Sequence, residues 1–277
     1  MLPLILKTAA VVFALFIVLR WFERAQVYHP TREWLADPPV PGRPPEDVAL
    51  VTKDGVKLHA WHFKADASSP RSGIVWLVLH GNGGNLSLRG PMFQTLLSLG
   101  VNVLALDYRG YGRSEGSPDE EGTYRDAEAA VDWLKSRGYP PAKIIVHGES
   151  LGGGVASYVA ASQEIGGLVI QSSFTSVPDI GSEKFPFLPV RLVAAFRYPT
   201  RERLPFVKVP VLILHSRRDQ IIPFHHGEKN FAAARDPKLF WELHAGHNDY
   251  LLSDAPNFFT GLDTYLTRYF PCPPTSP

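Results

Sequence analysis

The spacing of apolar positions divides the chain into three stretches. Residues 2–19 are apolar almost throughout, broken only by Lys7 among charged side chains. Residues 28–45 hold six prolines, which favours an extended linker or a strap across a domain surface. From Glu46 onward, short β-branched runs alternate with longer amphipathic or small-residue segments. Runs at 48–52 and 56–63 flank Lys53-Asp54-Gly55 and predict an antiparallel hairpin. Later runs at 73–79, 101–106, 144–146, 168–170, 210–215 and 238–243 read as buried strands separated by helices. This alternation predicts a parallel sheet with crossovers, whose ligands sit at the strands' carboxyl ends. Ser117-Pro118-Asp119-Glu120 carries helix-start signals, with Ser117 as the expected cap and the helix ending near Arg137-Gly138.

One of these strand exits carries chemistry. Ile144-Ile145-Val146 leads into Gly148-Glu149-Ser150-Leu151-Gly152, and small residues follow. A serine between glycines two positions away on each side fits a sharp strand-to-helix turn. Such a turn lifts the hydroxyl above the sheet edge, beside the first helical N–H groups. A serine hydroxyl needs a base, and the base needs an acid to hold its tautomer. In the order this turn implies, the acid follows a late strand and the histidine follows the last one. Asp219 ends the loop after run 210–215, and His247 follows run 238–243 in His244-Ala245-Gly246-His247. His244 still belongs to the strand end, and Asp249 sits too near the base to orient it from a separate loop. An oxyanion would need the Leu151 N–H and a second donor. The loop His80-Gly81-Asn82-Gly83-Gly84-Asn85 makes the Asn82 N–H the candidate. That loop lacks both G-x-G-x-x-G and a G-K-[ST] ending, which argues against a nucleotide. His244 and His247 have metal-like spacing but no third ligand at a familiar interval, so neither metal nor cofactor is expected.

Together with Asp107-Tyr108-Arg109-Gly110-Tyr111-Gly112-Arg113-Ser114-Glu115-Gly116, these motifs in this order resemble the α/β-hydrolase superfamily. Within it, their spacing is similar to the membrane-anchored serine hydrolases called Bem46-like. The resemblance spans roughly residues 25–270. It implies an eight-stranded, mostly parallel sheet with helices on both faces, a Ser150-Asp219-His247 triad, and hydrolysis of carboxylic esters or thioesters of the acyl-lipid or acyl-protein type. A serine peptidase and a non-catalytic, membrane-tethered binding protein are the rival readings. The 107–116 loop gathers charges, but its glycines suit a compact structural turn.

Roughly forty residues separate runs 168–170 and 210–215, more than a crossover needs, so a small cap is expected at about 174–208. Phe174, Phe187, Leu188 and Leu192 are its candidates for an acyl pocket, and Arg191, Arg197, Arg201 and Arg203 make it cationic.

A formal net charge of +1 shows no basic excess for nucleic acid, and a single cysteine, Cys272, excludes an intrachain disulfide. As helix, the opening 18-residue run would reach about 27 Å. Trp21, Phe22, Arg20 and Arg24 suit an interface, and no small-x-small cleavage site follows. The expected organisation is therefore a membrane anchor at 1–24 and a linker at 25–45. A hydrolase domain at 46–270 and a tail at 271–277 complete it. Membrane orientation stays open because cations flank both ends of the run. A monomer acting on a small-molecule or lipid ester is expected.

Overall fold

The computed structural model describes residues 2–34 and 40–272. Met1, residues 35–39 of the expected linker and residues 273–277 of the expected tail lie outside the described residues. The chain opens with helix α1 (Leu2–Val27) and then builds an eight-stranded sheet. Its strands are β1 (Glu46–Val51), β2 (Lys57–Phe63), β3 (Val75–Leu79), β4 (Asn102–Leu106), β5 (Ile144–Glu149), β6 (Gly167–Gln171), β7 (Val211–Ser216) and β8 (Lys238–Leu243). They lie in the order β8-β7-β6-β5-β3-β4-β2-β1. Only β2 runs against its neighbours, β1 and β4; every other pairing is parallel. The predicted hairpin and crossovers both form.

The inner strands are apolar runs because helices cover them on both sides. Along β3, Leu77 and Leu79 pack on one face while Trp76 and Val78 pack on the other, the period of two that a strand imposes. Helices α2 (Gly90–Ser98), α3 (Glu120–Ser136) and α4 (Leu151–Ser162) follow β3, β4 and β5. On the first face, Ala127, Val131 and Leu134 of α3 and Val155, Ala156 and Val159 of α4 close the core. On the second, Phe93 and Leu96 of α2 meet Phe258, Leu262 and Tyr265 of the carboxyl-terminal helix. The cap between β6 and β7 consists of α5 (Val177–Lys184) and the single turns Val190–Val193 and Thr200–Arg203. After β7 comes α6 (Phe224–Ala233), and α7 (Ala255–Tyr269) ends the fold. The cap is held from below by Arg203, whose guanidinium lies over the Tyr124 and Tyr158 rings and donates to the Gly154 carbonyl at 3.1 Å.

One expectation needs correction. Asp119, not Ser117, caps α3, accepting the Gly122 N–H at 2.8 Å. The Ser117 hydroxyl instead receives the Arg24 guanidinium. α1 forms, yet among the described residues no helix is long and apolar enough to cross a membrane. Charges past Leu19 dock the helix on the protein. Arg20 binds the Val193 carbonyl, Glu23 accepts the Ala195 and Phe196 N–H groups at 2.7 and 2.9 Å, and Phe22 meets Phe185 edge-on. Past α1, the strap pairs His29 and Pro30 with Gly83 and Gly84.

The glycines around Ser150 set how closely α4 approaches the sheet. A Cβ on Gly152 would overlap the Leu79 carbonyl, and one on Gly148 would overlap the Gly152 backbone. In a free helix Gly→Ala stabilises by up to about 1 kcal/mol. Here Gly152→Ala is expected to do the reverse, costing about 2 kcal/mol or more in urea unfolding. A neutral or stabilised variant would contradict the close approach.

Candidate active site

Ser150 sits between the end of β5 and the first residue of α4 at φ 53°, ψ −114°, a conformation side-chain-bearing residues rarely adopt. The surrounding structure imposes it. Its N–H donates to the Gln171 carbonyl at 2.9 Å, and its carbonyl accepts the Ser173 hydroxyl at 2.7 Å and the Gly153 N–H at 3.0 Å. With both backbone groups held, the side chain is turned toward a cleft that Ser150, Leu151, Asn82 and His247 all line.

Asp219 follows β7 and is buried. One carboxylate oxygen accepts the N–H groups of Ile221 and Ile222 at 2.9 and 2.8 Å, and the other lies 2.7 Å from Nδ1 of His247. Burial alone would raise this carboxyl. The His247 hydrogen bond and charge, with the two backbone N–H groups, outweigh burial and hold it below the ordinary carboxylate range. An ionised Asp219 can only accept, so Nδ1 of His247 carries a proton and the neutral ring has its lone pair on Nε2. That is the tautomer a general base needs. His215 also approaches Asp219, at 3.6 Å, but burial lowers its pKa and it hydrogen-bonds the Ile222 carbonyl. His244 and Asp249 are exposed and line no part of the cleft.

Leu151 opens α4, so its N–H has no intrahelical acceptor. Asn82 is held through its carbonyl, which accepts the His29 N–H at 2.9 Å and the Tyr111 hydroxyl at 2.8 Å. The strap and the 107–116 loop thus both grip the Asn82 loop. Asp107 in that loop accepts the Leu86 N–H at 3.0 Å, and Arg109 is tied to Asp126 and Asp54, the structural part expected of those charges.

The cleft encloses about 570 Å³. Phe174 lines it as expected, together with Val177, Ile180, Phe185, Ile221 and Ile222. Phe187, Leu188 and Leu192 do not: they are 98%, 47% and 87% exposed. Their side chains lie at the tip of the cap, past the end of α5, so the helix itself walls the cleft. Sequence reasoning also missed Gln26, Val27, His29, Arg89 and Lys184 in the lining. Of the apolar lining outside the cap, Ile221 and Ile222 had a signal, standing directly behind Asp219. Glu183, His225 and His226 cluster beside the cap. Burial lowers His226 to about 4, so its ring is neutral at pH 7, and Nδ1 accepts the Thr175 N–H at 3.1 Å. The ring proton therefore sits on Nε2, 3.4 Å from Glu183, and it is His225 Nε2 that joins α6 to α5 by a hydrogen bond to Glu183 at 2.9 Å.

The sequence profile described as the alpha/beta hydrolase fold matches residues 75–198. The alpha/beta hydrolase domain-containing protein WAV2 of Arabidopsis thaliana is 32% identical over 247 residues, covering 82% of this chain and 80% of its own. Protein bem46 of Schizosaccharomyces pombe is 34% identical over 185 residues, covering 64% and 62%. Among solved structures, the esterase Pf2001 of Pyrococcus furiosus superposes with a TM-score of 0.69 at 23% identity, covering 87% of this chain and 99% of that one.

The grip on Asn82 can be tested at Tyr111. Tyr111→Phe deletes one of two donors to the Asn82 carbonyl and should lower kcat on a simple ester by roughly two- to tenfold, the worth of one hydrogen bond. KM should change little, because alignment of an oxyanion donor acts in the transition state. A change confined to KM would contradict this role.

Proposed function

Because the chain belongs to the α/β-hydrolase fold family, we propose that it is a serine hydrolase cleaving carboxylic esters or thioesters through an acyl-Ser150 intermediate. The observation that carries this reading is the His247–Asp219 hydrogen bond at 2.7 Å, beside a cleft that also holds a conformationally strained serine. Ser150 Oγ attacks the acyl carbon as its proton passes to His247 Nε2. The resulting oxyanion is held by the N–H groups of Asn82 and Leu151. His247 returns the proton to the departing alcohol or thiol, and water then repeats the sequence to release the acid and restore the serine. Asp219 keeps its charge throughout and stabilises the imidazolium. The steps call for no cofactor.

The apolar wall of Phe174, Ile180, Phe185 and Ile222 suits an acyl chain. Esters of the acyl-lipid or acyl-protein type are the substrates this wall favours, and the esterase named among the structural neighbours fits the same reading.

A fluorophosphonate probe should label the wild-type chain and not Ser150→Ala. That variant should lose turnover by roughly 10⁴ or more while its thermal unfolding stays unchanged. Retained ester hydrolysis in Ser150→Ala would refute the mechanism. Asp219→Asn should lower kcat by about 10⁴ at neutral pH, because an amide can present a donor to Nδ1 and favour the wrong tautomer. Near-normal turnover would remove Asp219 from the triad.

A further inference from the structure

We propose that the cleft selects esters bearing an anionic group, a carboxylate or a phosphate, a few bonds from the reacting carbonyl, with Arg89 as the residue that reads it. The inference rests on the serine-hydrolase reading and adds a substrate class to it.

Arg89 stands at the start of α2 and lines the cleft. A Cβ built on Gly81 would be 3.4 Å from Ser150 Cβ and 4.0 Å from Arg89 Nη2. The guanidinium therefore lies within two van der Waals contacts of the nucleophile. Its donors are under-committed. Nη2 gives one ordinary hydrogen bond, to the Gly83 carbonyl at 2.9 Å. Nη1 reaches Glu149 only at 3.5 and 3.4 Å, well beyond the roughly 2.7–2.9 Å of a good charge-assisted pair. Nε is buried and has no partner. A planar fork of five N–H donors with one good acceptor is suited to a bidentate anion.

The charge around it points the same way. Lys184, at the end of α5, is an exposed cation on the cleft lining and makes no ion pair among the described residues. Against Arg89 and Lys184 stands Glu149, the one carboxylate of the lining. An anionic substrate would meet a net positive cleft on entry and a guanidinium with only a long ion pair to Glu149 beside the serine. The bond to Gly83 already braces the Asn82 loop, and it leaves Nη1 without a close acceptor.

The test compares kcat/KM within two matched pairs, using the full chain. One pair is 4-nitrophenyl hydrogen adipate against 4-nitrophenyl hexanoate; the other is lysophosphatidic acid against the monoacylglycerol of the same chain. The wild type should favour the anionic member of at least one pair by roughly ten- to a hundredfold, the worth of a hydrogen bond to a charged group. The favoured pair tells carboxylate from phosphate. Added salt should shrink the preference. Arg89→Met should collapse the ratio by lowering the anionic ester far more than the neutral one, and Arg89→Lys should keep part of it. If Arg89→Met fails to fold, Lys184→Met should still reduce the preference. Equal wild-type rates within both pairs, or an Arg89→Met loss equal for both members, overturns the proposal. Neutral-ester turnover and fluorophosphonate labelling report on the hydrolase reading separately. If no ester turns over while labelling persists, the charge reading alone falls; if labelling is lost too, both fall.

Discussion

The backbone strain at Ser150 is the constraint on which the rest of the site depends. A residue with a side chain is held at φ 53° where β5 becomes α4, and only dense local bonding can keep it there. The bonding comes from the neighbouring strand. Gln171, the last residue of β6, accepts the Ser150 N–H, and Ser173 just beyond it donates to the Ser150 carbonyl. Gly148 and Gly152 let β5, α4 and the Leu79 carbonyl of β3 come together without a Cβ between them. Ser150 is therefore presented by three strands and a helix, not by its own pentapeptide.

The partners of Ser150 are placed by the same economy of rigid elements. Asp219 is locked by two backbone N–H groups of its own loop, so its second oxygen can serve only to orient His247. Asn82 is reached from two directions, by the strap after α1 and by Tyr111 in the loop after β4. The amino-terminal segment thus belongs to the site physically. It lines the cleft through Gln26, Val27 and His29, and it rests on the cap through Glu23 and Phe22.

What was legible along the chain followed from local rules. The strand runs, the glycine spacing around Ser150 and the order Ser150, Asp219, His247 are each set by a few adjacent residues. The cap of α3 shows where local rules ran out, since both Ser117 and Asp119 are good capping residues. Asp119 caps the helix, while the Ser117 hydroxyl, three residues before the helix begins, meets Arg24. Phe187, Leu188 and Leu192 show a second limit. Their apolarity was correctly read, but apolarity carries no direction, and the chain beyond α5 points them outward. The opening helix shows a third: the partners of Arg20 on the cap and of Arg24 on Ser117 lie far along the chain, where no local pattern reveals them.

The sequence by itself determined the α/β alternation, the sharp strand-to-helix turn at Ser150 and the loops that carry Asp219 and His247, because periodicity and turn chemistry act over a few neighbouring residues. Only the tertiary structure decided which side chains wall the cleft and how the amino-terminal strap grips Asn82. It alone left the Arg89 guanidinium short of acceptors. Those outcomes depend on contacts between residues far apart in the chain, where packing and hydrogen-bond competition, not local preference, set the geometry.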